Sequence, residues 1–135
     1  MSQHSNVEKR KLLKIKRMDF KTFILESERT LVQKGKDMNI LHGCIGIATE
    51  SGELLDALKR NLFYGKPLDT VNMKEELGDV MWYVAILCRE LDLSMEDILQ
   101  TNIDKLKARY PEKFTEHHAI NRDLGKERNI LKGNK

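Results

Sequence analysis

The chain has 135 residues, 40% hydrophobic and 33% charged, with two prolines, four phenylalanines and a net charge of +3. That length fits one domain able to bury its own core, and the scarcity of proline and of β-branched or aromatic runs favours helices over sheets. No run approaches the ~18 apolar residues of a membrane span, and no uninterrupted apolar core marks a signal peptide. The charge is uneven: residues 1–17 hold six basic side chains against Glu8, a net +5 that leaves −2 on the other 118 residues. Residues 1–17 are therefore read as a basic, flexible extension ahead of a single domain over 18–135. A tail of that sign could meet nucleic acid or an anionic surface. Cys44 and Cys88 both fall in helical apolar patterns and read as reduced core residues of a cytoplasmic protein.

In chain order, Phe20, Ile24 and Leu31 predict a first amphipathic helix over 19–34, ending near Gly35. A second is expected over 39–64, with Ile40, Cys44, Ile47, Leu54, Leu55, Leu58 and Leu62 as its apolar stripe. Gly65-Lys66-Pro67-Leu68-Asp69 is the clearest loop. A third helix spans 70–91, and a fourth 94–109 with Ser94 as N-cap and Asp97 at the third helical position. Pro111 closes the fourth, and 112–131 reads as one or two short helices. The fold class is all-α, a four-helix-bundle-like arrangement with short C-terminal helices. Val80 to Cys88 is apolar around almost its whole circumference, so the third helix needs burial on every side, and a homodimer or homotetramer would supply it.

Two acidic pairs carry the chemistry, Glu50-x-x-Glu53 on the second helix and Glu76-x-x-Asp79 on the third. Spacing of i, i+3 puts each pair on one helix face, and antiparallel packing would bring four carboxylates together. Ordinarily such acids are a solvated face. Here, at about 100° per residue, Glu76 shares a narrow arc with Val80, Tyr83 and Leu87, while Glu50 shares a strip with Gly43, Gly46 and Ala57. Carboxylates beside apolar walls are costly unless paired or bound to metal. All four donors are oxygens and no histidine stands at i+3 or i+4, which suits Mg²⁺, with Mn²⁺ as a substitute, and argues against a di-iron centre. His42 lies 11 residues before Glu53, roughly 16 Å along a helix, too far for the same ion. His117 and His118 read as surface residues.

A third constellation points to phosphate. Asn102, Lys105 and Arg109 fall at i, i+3 and i+7, one helical face carrying an amide and two cations suited to a polyphosphate. A solvated stripe near a helix C-terminus is the plainer explanation, and the neighbouring acids weigh against it. Arg60, about two turns beyond the first acidic pair, is either a salt-bridge partner or a phosphate ligand.

The segments HGCIGIATESGELLDALKRNLFYGKPLD and KEELGDVMWYV, followed by NIDKLKARYPEKF, resemble the MazG-like branch of the all-α nucleoside triphosphate pyrophosphohydrolases. That pattern is E-E-x-x-E, a gap, E-x-x-D, then N-x-x-K-L-x-x-R-[YH]-P, and the likeness covers roughly residues 19–124. Glu50, Glu53, Glu76 and Asp79 match the metal-binding acids, with Glu50 and Glu53 implied as catalytic. The first Glu of E-E-x-x-E is Thr49 here, which leaves open which acid orients the attacking water. Glu75 points about 100° from Glu76 and is a poor replacement. The resemblance implies Mg²⁺-dependent cleavage of a (d)NTP between its α and β phosphates, giving a monophosphate and pyrophosphate, in nucleotide-pool cleaning. Lys105, Arg109 and Asn102 would hold the β and γ phosphates, and Tyr83 the sugar or its phosphate. Trp82, Phe20, Phe23, Phe63 and His42 are candidate walls for the base, whose identity stays open. Two rival readings remain: a non-catalytic helical partner-binding protein, and a nucleic-acid binder acting through the basic tail.

Overall fold

The computed structural model describes residues 17–133, so the basic extension falls, Arg17 apart, outside the described residues. Among the described residues there are six helices and no strand: α1 (Phe20–Glu28), α2 (Lys36–Tyr64), α3 (Thr70–Glu90), α4 (Met95–Arg109), α5 (Glu116–Ile120) and α6 (Leu124–Leu131). The all-α class and the order of elements agree with the sequence.

Local chemistry sets the boundaries. Asp19, Asp69, Ser94, Thr115 and Asp123 each accept a backbone N–H of the first turn that follows, satisfying donors the helix itself leaves open. Ser94 accepts from the Asp97 amide, as its position predicts. Gly65 ends α2 in the left-handed region at φ 63°, where a side chain would be strained. The first helix is shorter than expected. Ser27 Oγ donates to the Phe23 carbonyl at 2.7 Å and Thr30 Oγ1 to the Ser27 carbonyl at 3.1 Å, so hydroxyls compete for helix acceptors and the chain turns. The second helix starts earlier, just after Gly35 at φ 91°. Buried Asn39 fastens the intervening loop, accepting from the Lys34 amide and donating to Gln33 and to Glu90 on α3.

α3 is the central element, packed on one side by α2 and on another by α1, which Arg89 ties to it through Glu28 at 2.9 Å. Ala85, Ile86 and Cys88 are fully buried there. α4 lies mainly against α6 and α1. The apolar stripe read on α2 is covered only in part: Ile40, Ile47 and Leu54 are half-buried, but Leu55, Leu58 and Leu62 are 68%, 37% and 71% exposed, and Cys44, read as a core residue, is exposed too. The face of α2 that meets α3 is the small one, with Gly43, Gly46 and Ala57 buried. A Cβ on Gly46 would stand 2.2 Å from the Tyr83 ring, and one on Gly43 would stand 2.8 Å from Leu87. Only glycine lets the two backbones come this close.

Candidate metal centre

That close approach carries α2's acids to α3's. Glu50 sits one helical turn past Gly46, and its carboxylate, with those of Glu76 and Asp79, offers oxygens that all lie within 4.8 Å of one another. Glu76 is buried, Glu50 half-buried and Asp79 exposed, so the cluster opens to solvent on one side. Asn72, on the first turn of α3, donates its amide to Glu76 Oε1 at 2.7 Å. The amide fixes the buried carboxylate beside Glu50.

Electrostatics marks the place as crowded with negative charge. Partial burial pushes the Glu50 carboxyl above its ordinary value. A hydrogen bond shared with Glu76 and repulsion from Glu76, Asp79 and Glu53 push the same way. The Tyr83 phenol is also raised, by burial first and then by Glu50 and Asp79, so it stays a neutral donor beside the acids. Its ring lies edge-on to Trp82 and His42 at 5.0 and 5.4 Å. Trp82 is half-buried and donates Nε1–H to Thr30 Oγ1 at 2.9 Å, which locks this aromatic wall to the loop after α1.

The donor set fits a hard divalent cation. Three oxygen ligands within one ion's reach, mutually repelling and partly desolvated, are stabilised by a cation between them, and no nitrogen or sulfur donor joins the group among the described residues. Glu53 lies one turn further along α2 and is exposed. It lines an adjoining cavity of about 580 Å³ with Arg60, Lys66, Asn72 and Glu75. Thr49 donates its hydroxyl back to the Gly46 carbonyl at 3.0 Å and adds no carboxylate to the group.

The α4 stripe is placed differently. Asn102 is exposed and Lys105 half-buried, and neither lines the cavity beside Glu53. Arg109 is held by Glu127 of α6 through two 2.8 Å hydrogen bonds, and Arg122 grips the same carboxylate at 2.6 Å. These two guanidinium groups hold the Glu127 carboxyl far below the usual carboxylate range and raise Arg109 in turn. Arg60 pairs with Asp56 at 2.5 Å while its side chain stays 63% exposed. Of the candidate base walls, Phe20 and Phe23 line a separate apolar cavity of about 500 Å³ with Gly78 and Met81, whereas Phe63 is 78% exposed.

Asn72 and Glu127 were missed by the sequence reading. Asn72 had a signal, an amide four residues before Glu76 on the same helix face. Glu127 had none, because it is 18 residues from Arg109 and reaches it only through the turns around α5.

Comparison with known proteins identifies the family. The model of a MazG nucleotide pyrophosphohydrolase domain matches residues 44–114, which include both acidic pairs and the α4 stripe. The chain is 36% identical over 69 residues to the Gene 37 protein of Mycobacterium phage L5, an alignment covering 48% of this chain. It spans only 60% of that phage protein's length. No solved structure matches.

Proposed function

Since the chain belongs to the MazG nucleotide pyrophosphohydrolase family, we propose that it hydrolyses a nucleoside triphosphate, in the presence of Mg²⁺, to a monophosphate and pyrophosphate, as a nucleotide-pool cleaning enzyme. The observation that carries this reading is the convergence of Glu50, Glu76 and Asp79, within one cation's reach, beside a cavity that holds Arg60 and Lys66. Glu50, Glu76 and Asp79 would hold the ion, with Glu53 at the edge of the group. Bound there, Mg²⁺ would neutralise polyphosphate charge and acidify a water molecule.

The chain's own groups then position the reactants. A water oxygen forms its bond to the α phosphorus, and the bond from that phosphorus to the α,β-bridging oxygen breaks. The electron pair leaves on pyrophosphate, and the water's proton passes to a carboxylate. Glu50 and Glu53 are the acids assigned to orient that water. Glu53 is the exposed one, and Glu50 already binds its proton more tightly than usual. Tyr83, kept neutral, would donate to the sugar or to a phosphate oxygen. Asn102 and Lys105 remain candidates for the polyphosphate, whereas Arg109 reaches it only by giving up Glu127. The homo-oligomer belongs to the same reading, supported by α2's uncovered apolar stripe.

The test incubates the protein with ordinary and modified (d)NTPs and Mg²⁺, and identifies the products by chromatography. Monophosphate with pyrophosphate is expected, and Asp79→Asn should lose at least ~100-fold in turnover while keeping its helical circular dichroism. Absence of turnover with folded, metal-loaded protein would overturn the hydrolase assignment. Full activity in Asp79→Asn would overturn the site. Tight, steeply salt-dependent binding of nucleic acid that is lost on removing residues 1–17 would favour the nucleic-acid binder instead.

A further inference from the structure

A substrate whose α phosphorus sits at the carboxylate cluster must put its two outer phosphates somewhere, and the α4 stripe is poorly placed to receive both. Arg109 is committed to Glu127, with only 15% of its side chain exposed, and α4 lies chiefly against α6 and α1. The cavity between the end of α2 and the first turn of α3 adjoins the cluster directly. Glu53 in its wall is one turn from Glu50, and Asn72 in its wall is the residue that holds Glu76.

Two cations face this cavity. Most of the Arg60 side chain stays in solvent despite its pairing with Asp56. Lys66 is exposed and makes no ion pair among the described residues. Its backbone is fixed, however: the carbonyl accepts from Asn61 Nδ2 at 2.7 Å, the amide donates to the Arg60 carbonyl at 3.2 Å, and Gly65 before it is in the left-handed turn. An ammonium with no internal ion-pair partner is free to take an external anion, and the pinned backbone confines the ordering cost to the side chain, about 0.5–1.5 kcal/mol. The cavity wall is not simply basic. Glu53, Asp69 and Glu75 outnumber Arg60 and Lys66, although Asp69 is turned to cap the Asn72 amide at 3.0 Å. Charge balance therefore admits a phosphate that arrives with a divalent cation and disfavours a bare one.

Resting on the hydrolase reading above, we infer that this cavity seats the leaving pyrophosphate as its magnesium complex, with Lys66 holding the terminal phosphate and Arg60 as the second cation. Lys66 thus determines affinity for the tail of the substrate and for one of the two products.

The experiment compares the full chain with Lys66→Gln and Lys66→Arg, following inhibition of turnover by pyrophosphate and by the monophosphate product. Lys66→Gln should raise both the KM for triphosphate and the Ki of pyrophosphate about tenfold, the scale of one exposed charge-assisted contact. It should leave the Ki of the monophosphate within about twofold, and Lys66→Arg should restore most of the loss. A merely structural role would move both inhibitors together. Unchanged pyrophosphate inhibition in Lys66→Gln, with active parent enzyme, would overturn the seat and leave the hydrolase assignment standing. If the parent protein turns over nothing, calorimetric titration of pyrophosphate with Mg²⁺ decides the seat alone. Binding weakened about tenfold by Lys66→Gln, and absent without the divalent ion, supports it; equal binding by parent and variant overturns it.

Discussion

The contact on which the site depends is the one between Gly46 and Tyr83, and adding a single methyl group tests it. In Gly46→Ala the new Cβ would meet Tyr83 Cδ1 and Cε1 at 2.2 Å and Cγ at 2.4 Å. Carbon atoms prefer about 3.5–4.0 Å, so the ring must retreat by more than ~1 Å. Because Cγ is among the clashing atoms, swinging the far edge of the ring does not relieve the overlap. The whole side chain must move, breaking its edge-on packing with Trp82 and His42. Overpacking of this kind costs about 3 kcal/mol at the upper end of its usual range. Replacing glycine by alanine within a helix returns about 1 kcal/mol. The net loss is about 2 kcal/mol, or roughly 8 °C of melting temperature at about 4 °C per kcal/mol for a domain of this size. Gly78→Ala is the matched control, since a Cβ there meets nothing within 4 Å. It should gain up to about 1 kcal/mol. Thermal melts followed by circular dichroism separate the two chemically identical changes by roughly 10 °C. A Gly46→Ala protein as stable as its parent would refute the close α2–α3 packing, and with it the placement of Glu50 beside Glu76. If the packing is right, the variant's Mn²⁺ affinity should fall as well, because the displaced ring borders Glu50 and Asp79.

Three further outcomes follow from the same geometry. Glu50→Gln removes a carboxylate that its neighbours repel, so the metal-free protein should melt higher while the Mg²⁺-induced rise disappears. In the parent that rise should approach about 2.7 kcal/mol at a hundred times the dissociation constant, read by melts across a Mg²⁺ series. Asn72→Ala leaves Glu76 without its amide donor and should weaken Mn²⁺ binding about tenfold by calorimetry, with little change in helix content. Glu127 is held below its unfolded value near 4.5 by Arg109 and Arg122. Its contribution is therefore present above that pH and lost as the pH falls further below it. Chemical denaturation from pH 7 down to about pH 3 should show the parent losing stability below about 4.5. Glu127→Gln, less stable at pH 7, should show a flatter dependence over that range.

The four main helices, the loop at 65–69 and the Ser94 cap were legible in the sequence because each depends on residues within one turn, whereas the turn after Glu28 was read as helix. The Gly65 turn, the Ser94 cap and the spacing of both acidic pairs needed no tertiary knowledge. What periodicity reports is the set of faces a helix owns, and α2 owns two that could have been its inner one. The leucine stripe is the more hydrophobic face; the strip of Gly43, Gly46 and Ala57 is the one that permits close approach. Hydrophobicity alone selects the leucines, yet Leu55 and Leu62 stay bare, and the small strip that the sequence shows beside Glu50 is the face that meets α3. The glycine strip prevails against α3 because Tyr83 and Leu87 need the room that glycine leaves.

The choice of face also decides the chemistry. Glu50 lies about 40° around the helix from Gly46 but about 120° from Leu62. Packing through the leucines would have turned it away from Glu76 and left two ordinary solvated acidic pairs. Packing through the glycines presses Glu50 against Glu76 and Asp79, raises its affinity for a proton and creates a demand for positive charge. Glu127, which pairs with Arg109, and Lys66, which shares a cavity wall with Glu53, are set by how the chain turns between helices and leave no periodic trace. Only Asn72 left one, at i, i+4 from Glu76, and an amide at that spacing from a buried carboxylate belongs with the site whenever the carboxylate does.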